Sequence, residues 1–216
     1  MKIENVGLKF DKTLTPLKQV KKIIVHHPAH RTWNIQDIHN YHIKNKKWNG
    51  IGYNYFVTKN GKAQEGRGRN QGAHCIGSNM NPQSLGVCFQ GDFDKETPTE
   101  VQYRAGAELI AFLLQKEGLQ INDVAGHNAF AATACPGKNF DMDKLKQYIL
   151  EEMNPNVKGS IQEVKKFTVS DATQRAIKNL SQYGIVAEDF EVKDNNQAML
   201  ISIANNMVKA IKDGKL

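Results

Sequence analysis

The chain has 216 residues, of which 40% are hydrophobic, 24% charged and 8% aromatic, and these ordinary globular values exclude a disordered, collagen-like or disulfide-scaffold class. That length holds one full catalytic domain plus a small appendage, since domains typically run about 100 to 200 residues. A formal net charge of +7 favours an anionic partner. No run of Lys and Arg is interleaved with aromatics, so nucleic acid is not expected as that partner.

Taken in chain order, the opening MKIENVGLKFDK lacks the apolar centre of a signal peptide, and no apolar run approaches the roughly 20 residues of a membrane span. The expectation is a chain made in the cytosol that does not insert into a membrane. Ile23 to Val25 is an apolar, strand-like triplet leading straight into His26 and His27. Asn34 is placed as the N-cap of a helix over 35–44, with Ile35, Ile38, Tyr41 and His42 along one side. Tyr53 to Thr58 is β-rich and ends in the turn pair Asn60-Gly61. Ser84 to Phe89 is nearly continuous apolar sequence, the pattern of a strand buried on both faces.

A helix over 99–117 follows from the spacing of Val101, Ala105, Leu109, Phe112 and Leu113, with Gly118 as its C-terminal cap. Residues 125–137 show little periodicity and are expected to form a loop. Another helix is predicted over 141–153, ending before Asn154-Pro155. The organisation expected is a catalytic domain over 1–153, a linker over 154–169, and a small helical module over 170–216. Amphipathic helices are predicted there over 170–183 and 195–212.

Three cysteines are too few and too odd in number for a disulfide framework, which leaves a metal or thiol role open. The sharpest constellation is His26 at a strand end, His127 far downstream after Gly126, and Cys135 eight residues later in Cys135-Pro136-Gly137. Two imidazoles and one thiolate form a usual zinc set, and three protein ligands leave the fourth tetrahedral position for water. Zinc fingers and ribbons place paired ligands two to five residues apart, so this spacing points away from a purely structural ion.

Six blocks in order then resemble the zinc amidase family of phage amidase-type lysozymes and peptidoglycan recognition proteins: VHHPA from Val25, GIGYNYFV from Gly50, GKAQEGRG from Gly61, GAHCIGSN from Gly72, SLGVCFQGDF from Ser84, and GH with ACPG between Gly126 and Gly137. The resemblance covers roughly residues 7–150 and implies an α/β fold with a mixed central sheet flanked by helices. It also implies hydrolysis of the amide between N-acetylmuramic acid and L-alanine in peptidoglycan. Carried over block by block, His26, His127 and Cys135 fall on the zinc ligands and Tyr53 on the catalytic tyrosine. Thr133, a second catalytic candidate that can hydrogen-bond an oxyanion but brings no charge, stands where some phage lysozymes have a lysine and many recognition-protein amidases a threonine, and Cys88 stands where distant relatives place a general-base glutamate. Proton handling is therefore expected to fall to the metal's water, Tyr53 and Glu65. His74, Asn79, Arg67 and Glu65 are the candidate substrate contacts.

The reading is a phage or prophage endolysin that lyses Gram-positive hosts, held in the host cytoplasm until release to the wall. A non-catalytic peptidoglycan receptor and a host autolysin stand as alternatives. A thiol hydrolase with Cys135 as nucleophile and His127 as base is a further competitor. The C-terminal module loosely resembles helical segments of Gram-positive amidases, which implies a secondary wall polymer as its ligand. Packing against the catalytic domain or pairing with a second copy are the alternatives for it.

Overall fold

The computed structural model describes residues 1–76 and 78–154 together with Ala176, Leu180, Val208 and Lys212. By internal contacts the chain divides after Asn154 into Met1–Asn154 and Pro155–Leu216, and the elements below belong to the first unit. Beyond Asn154 the predicted linker lies outside the described residues. So does the predicted C-terminal module, apart from those four positions, which are helical.

In chain order the elements are β1 (Ile3–Asn5), β2 (Lys22–His26), α1 (Ile35–Lys44), β3 (Tyr55–Val57), β4 (Ala63–Glu65), β5 (Ser84–Phe89), α2 (Glu100–Glu117), β6 (Val124–Gly126) and α3 (Met142–Met153). The six strands form one sheet in the order β1-β4-β3-β5-β2-β6. Only β3 and β4 pair antiparallel, so the sheet is mixed, as expected. The central strands and all three helices match the sequence reading closely. β1, β4 and β6 were not predicted, and β6 occupies the start of the stretch expected to be loop. Each has three residues, too few for an alternation to register.

The helix ends follow from local chemistry. The Asn34 side chain accepts from the backbone N–H groups of Gln36 and Asp37, while the Asp37 carboxylate accepts from the Asn34 N–H, a reciprocal capping box. Such a cap is worth about 1 kcal/mol. Thr99 caps α2 by accepting from the Gln102 N–H, so that helix begins one residue later than its predicted span. Gly118 ends it in the left-handed region at φ 67°, where a side chain would be strained.

The period of two along the strands sorts residues between the two faces of the sheet. Ile23, Val25, Tyr55, Val57, Leu85, Val87 and Phe89 share one core with Leu109, Ile110 and Leu113 of α2 and Leu145 and Ile149 of α3. Phe56 and Cys88 pack instead with Ile35 and Ile38 of α1. The sheet is thus covered on both sides, α2 and α3 on one and α1 on the other. His26, one residue after Val25, falls on the α1 side.

Charged groups bind α3 to α2. Glu100 accepts from the Tyr148 hydroxyl and pairs with Lys144 at 3.0 Å, while Arg104 pairs with Glu151. The Tyr148 hydroxyl and Lys144 hold the Glu100 carboxyl below its ordinary range. Lys22 does the same for Asp123 across a 2.7 Å ion pair. A carboxylate with a depressed folded pKa stabilises fully above its unfolded value, about 3.9 for Asp and 4.3 for Glu, and loses that contribution as pH falls through the folded value. Urea midpoints are therefore expected to fall from about pH 6.5 downward, where the unfolded chain protonates histidines whose folded values burial has lowered, and to fall more steeply below about 4.5 as these carboxylates lose their contribution. Glu100→Gln is expected to be less stable than the wild type at neutral pH and to show a shallower acid decline.

Candidate metal centre

Strand register brings the chemistry together. Val25 of β2 pairs with Gly126 of β6, so the next residues, His26 and His127, leave adjacent parallel strands at the same level. Neighbouring strands lie about 4.8 Å apart. The two imidazole rings stand 4.5 Å apart between centroids, in keeping with that spacing. On the other side of β2, His26 pairs with Cys88 of β5. One level of the sheet therefore carries Cys88, His26 and His127 in a row, near the C-terminal ends of parallel strands where open α/β sheets bind their ligands.

Cys135 reaches this row from the loop after β6. Its carbonyl accepts from the Asn128 N–H at 2.9 Å, which ties the cysteine loop to the segment beginning at His127. Its own N–H donates to the Thr133 hydroxyl at 3.2 Å. Thr133 itself is exposed. Sγ of Cys135 stands 3.6 Å from Nδ1 of His26, and one ligand atom from each of His26, His127 and Cys135 lies within 4.8 Å of the others. Two donors at about 2.1 Å and 2.3 Å from one tetrahedral zinc stand about 3.6 Å apart, so the His26–Cys135 pair already has the separation a shared ion requires.

Electrostatics agree with that use. Burial, followed by His74 and His127, pushes the His26 imidazole well below its ordinary value, and burial lowers His127 as well. Both rings are neutral at pH 7, the form that ligates a metal. Burial drives the Cys135 thiol up to about 12. Without a cation beside it, that thiol is not the thiolate a cysteine nucleophile needs.

Tyr53 lies half-buried with its ring 5.2 Å from that of His26. Burial raises its hydroxyl well above the ordinary range, with the neighbouring Cys88 and Cys135 thiols as lesser causes. Cys88 is fully buried, as its apolar run suggests, in the cluster against which Tyr53 packs. Only the pairing of β5 with β2, which sequence patterning does not reveal, places it there.

The expected substrate contacts are distributed unevenly. His74 is 7% exposed and sits behind His26, with Nδ1 3.0 Å from Nε2 of that ring. Arg67 donates to the backbone carbonyls of Asn49, Ile51 and Gln71, bracing the segment that leads to Tyr53. Asn79 is exposed with φ 51°. Glu65 closes β4 with its carboxylate beside Gly68 and Tyr55. His27, next to His26 in sequence, points to the opposite face, stacking on Phe93 and accepting its N–H at 3.0 Å.

His39 and His42, for which no functional role was expected from the sequence, prove structural. His39 accepts from the Ile51 N–H at 3.2 Å and His42 from the Gly52 N–H at 3.0 Å. Together they hang the segment before Tyr53 from the inner face of α1. Their spacing of three residues, which puts both on one helix face, was the available signal.

Comparison with known proteins agrees with this geometry. The family described as N-acetylmuramoyl-L-alanine amidase matches residues 16–138. Peptidoglycan-recognition protein SC2 of Drosophila melanogaster is 34% identical over 107 residues, which are 49% of this chain and 57% of the insect protein. The match thus spans little more than half the length of that relative. Among solved structures, the N-acetylmuramoyl-L-alanine amidase LysC from Clostridium intestinale URNW is similar with a TM-score of 0.63 and 27% identity, covering 68% of this chain and 96% of that one. A Drosophila PGRP-LB variant in complex with tracheal cytotoxin is similar with a TM-score of 0.56 and 25% identity, covering 62% and 85%.

Proposed function

Because this chain belongs to the N-acetylmuramoyl-L-alanine amidase family, we propose that it hydrolyses the amide between the lactyl group of N-acetylmuramic acid and the L-alanine of the stem peptide. His26, His127 and Cys135 hold a zinc ion in this reading. The observation that carries it is the convergence of those three donors within 4.8 Å, on residues up to 109 positions apart in sequence. Zinc bound there supplies a Lewis acid for the scissile carbonyl and lowers the pKa of water to about 7.

The chain's own groups do the rest. Tyr53, kept protonated by its burial, donates a hydrogen bond to the oxyanion that develops on the carbonyl oxygen. Thr133 orients the Cys135 loop through the Cys135 N–H and offers its exposed hydroxyl to the same oxyanion. His39, His42 and Arg67 fix the segment that aims Tyr53. Asn79, exposed at the loop surface, serves the stem peptide and His74 acts from behind the substrate face, while Glu65, paired with Tyr55, lies on the α2 side of the sheet and takes no part.

An endolysin role draws support from the likeness to an endolysine amidase of Clostridium intestinale URNW, at a TM-score of 0.63 and 27% identity. In that role the chain waits in the host cytoplasm, acts on the wall after release, and uses residues 170–216 to hold a wall polymer. Digestion of purified peptidoglycan tests the reaction assigned. New L-alanine amino termini without new reducing sugar ends are expected. Reducing ends alone contradict amide cleavage.

A further inference from the structure

The two nitrogens of the His26 ring face different partners. Nδ1 stands 3.6 Å from the Cys135 sulfur, on the side where the three donors converge, and Nε2 stands 3.0 Å from Nδ1 of His74. A ring that ligates through Nδ1 carries its proton on Nε2. His26 is then the donor in the bond to His74, and Nδ1 of His74 the acceptor.

The surroundings of His74 hold that acceptor in place. A Cβ built on Gly86 would stand 2.6 Å from Cγ of the His74 ring and 2.9 Å from its Nδ1, and one on Gly72 would stand 2.3 Å from its Cδ2. Both glycines are therefore openings that admit the ring. Asn81 accepts from the N–H groups of His74 and Cys75 at 2.9 and 2.8 Å, which pins the backbone beneath it. Asn54 accepts from the Gly86 N–H at 2.8 Å, fixing the strand that forms one wall of the slot. The glycines of Gly72-Ala73-His74 and Ser84-Leu85-Gly86 thus serve a single side chain.

We infer that His74 is a positioning residue for the metal centre, whose Nδ1 accepts the Nε2 proton of His26 and so locks His26 in the tautomer and ring orientation that present Nδ1 to the ion. The inference rests on the zinc reading above. Partners of this kind change metal affinity by about 10- to 100-fold when removed.

The test compares two nearly isosteric substitutions in the full chain. His74→Asn keeps an acceptor oxygen near the position of Nδ1, whereas His74→Leu fills the slot and accepts nothing. Zinc dissociation constants are measured by competition with a chromogenic chelator, and thermal unfolding confirms that each variant is folded. His74→Leu is expected to bind zinc about 10- to 100-fold more weakly than the wild type, with His74→Asn recovering most of the loss. Equal affinities for the two variants overturn the assignment while leaving the zinc reading intact. A wild-type chain that takes up no zinc removes the zinc reading and this inference together. As an independent readout, nitrogen NMR of the zinc-loaded wild type is expected to show the His26 proton on Nε2, and a proton on Nδ1 contradicts it.

Discussion

Cys135→Ser is expected to lower amide hydrolysis by at least about 10³-fold, and His127→Ala to do the same, because each leaves two protein ligands where zinc needs three. The serine variant is the more informative. It keeps the size of the side chain, and the backbone bonds that shape the loop, from Asn128 to the Cys135 carbonyl and from Cys135 to Thr133, do not involve sulfur. Thermal unfolding is therefore expected to change little beyond the loss of bound metal, while zinc content and turnover fall together. Turnover that survives in a zinc-free Cys135→Ser chain contradicts the ligand assignment.

Tyr53→Phe separates transition-state stabilisation from metal binding. The ring packs beside the cluster of Ile35, Ile38, Ile51, Phe56 and Cys88, and phenylalanine preserves that packing. Losing a single hydrogen bond to a developing oxyanion typically costs about 10²- to 10³-fold in kcat. The expected result is a drop of that order with KM nearly unchanged and one zinc retained. Full activity in this variant removes the role given to Tyr53 and leaves the metal centre standing. A loss of zinc would show instead that the hydroxyl supports the ligands.

Much of the frame is legible in the residues because local chemistry determines it. The Asn34 cap, the αL glycine at 118 and the unbroken apolar run of β5 are signals contained within a few positions, and each element appears where its signal lies. The metal-ligating set is legible in another way, as residue types whose chemistry makes sense only together. Their closeness depends on β6 pairing with β2, and β6 is a three-residue strand with no pattern of its own. Tertiary pairing creates such strands, so β1, β4 and β6 went unread.

The same limit applies to the residues around the ligands. Cys88 in its apolar run reads as a small core side chain, and burial bears that out, but its place beside His26 belongs to the register between β5 and β2. His74 reads equally well as a surface group or a substrate contact until Gly72 and Gly86 are seen to clear a slot for it. Arg67 looks like a free cation for a carboxylate, whereas its guanidinium is held by three backbone carbonyls. In each case a residue distant in sequence supplies the missing information.

The central claim is that a zinc ion held by this chain cleaves the lactyl–alanine amide. It is tested most directly by measuring zinc per chain alongside release of L-alanine amino termini from Gram-positive cell walls, before and after chelation and after zinc is returned. One zinc per chain, release that stops on chelation, and recovery when zinc is restored are predicted. Release that persists in the metal-free protein contradicts the claim and moves the chemistry to the Cys135 thiol.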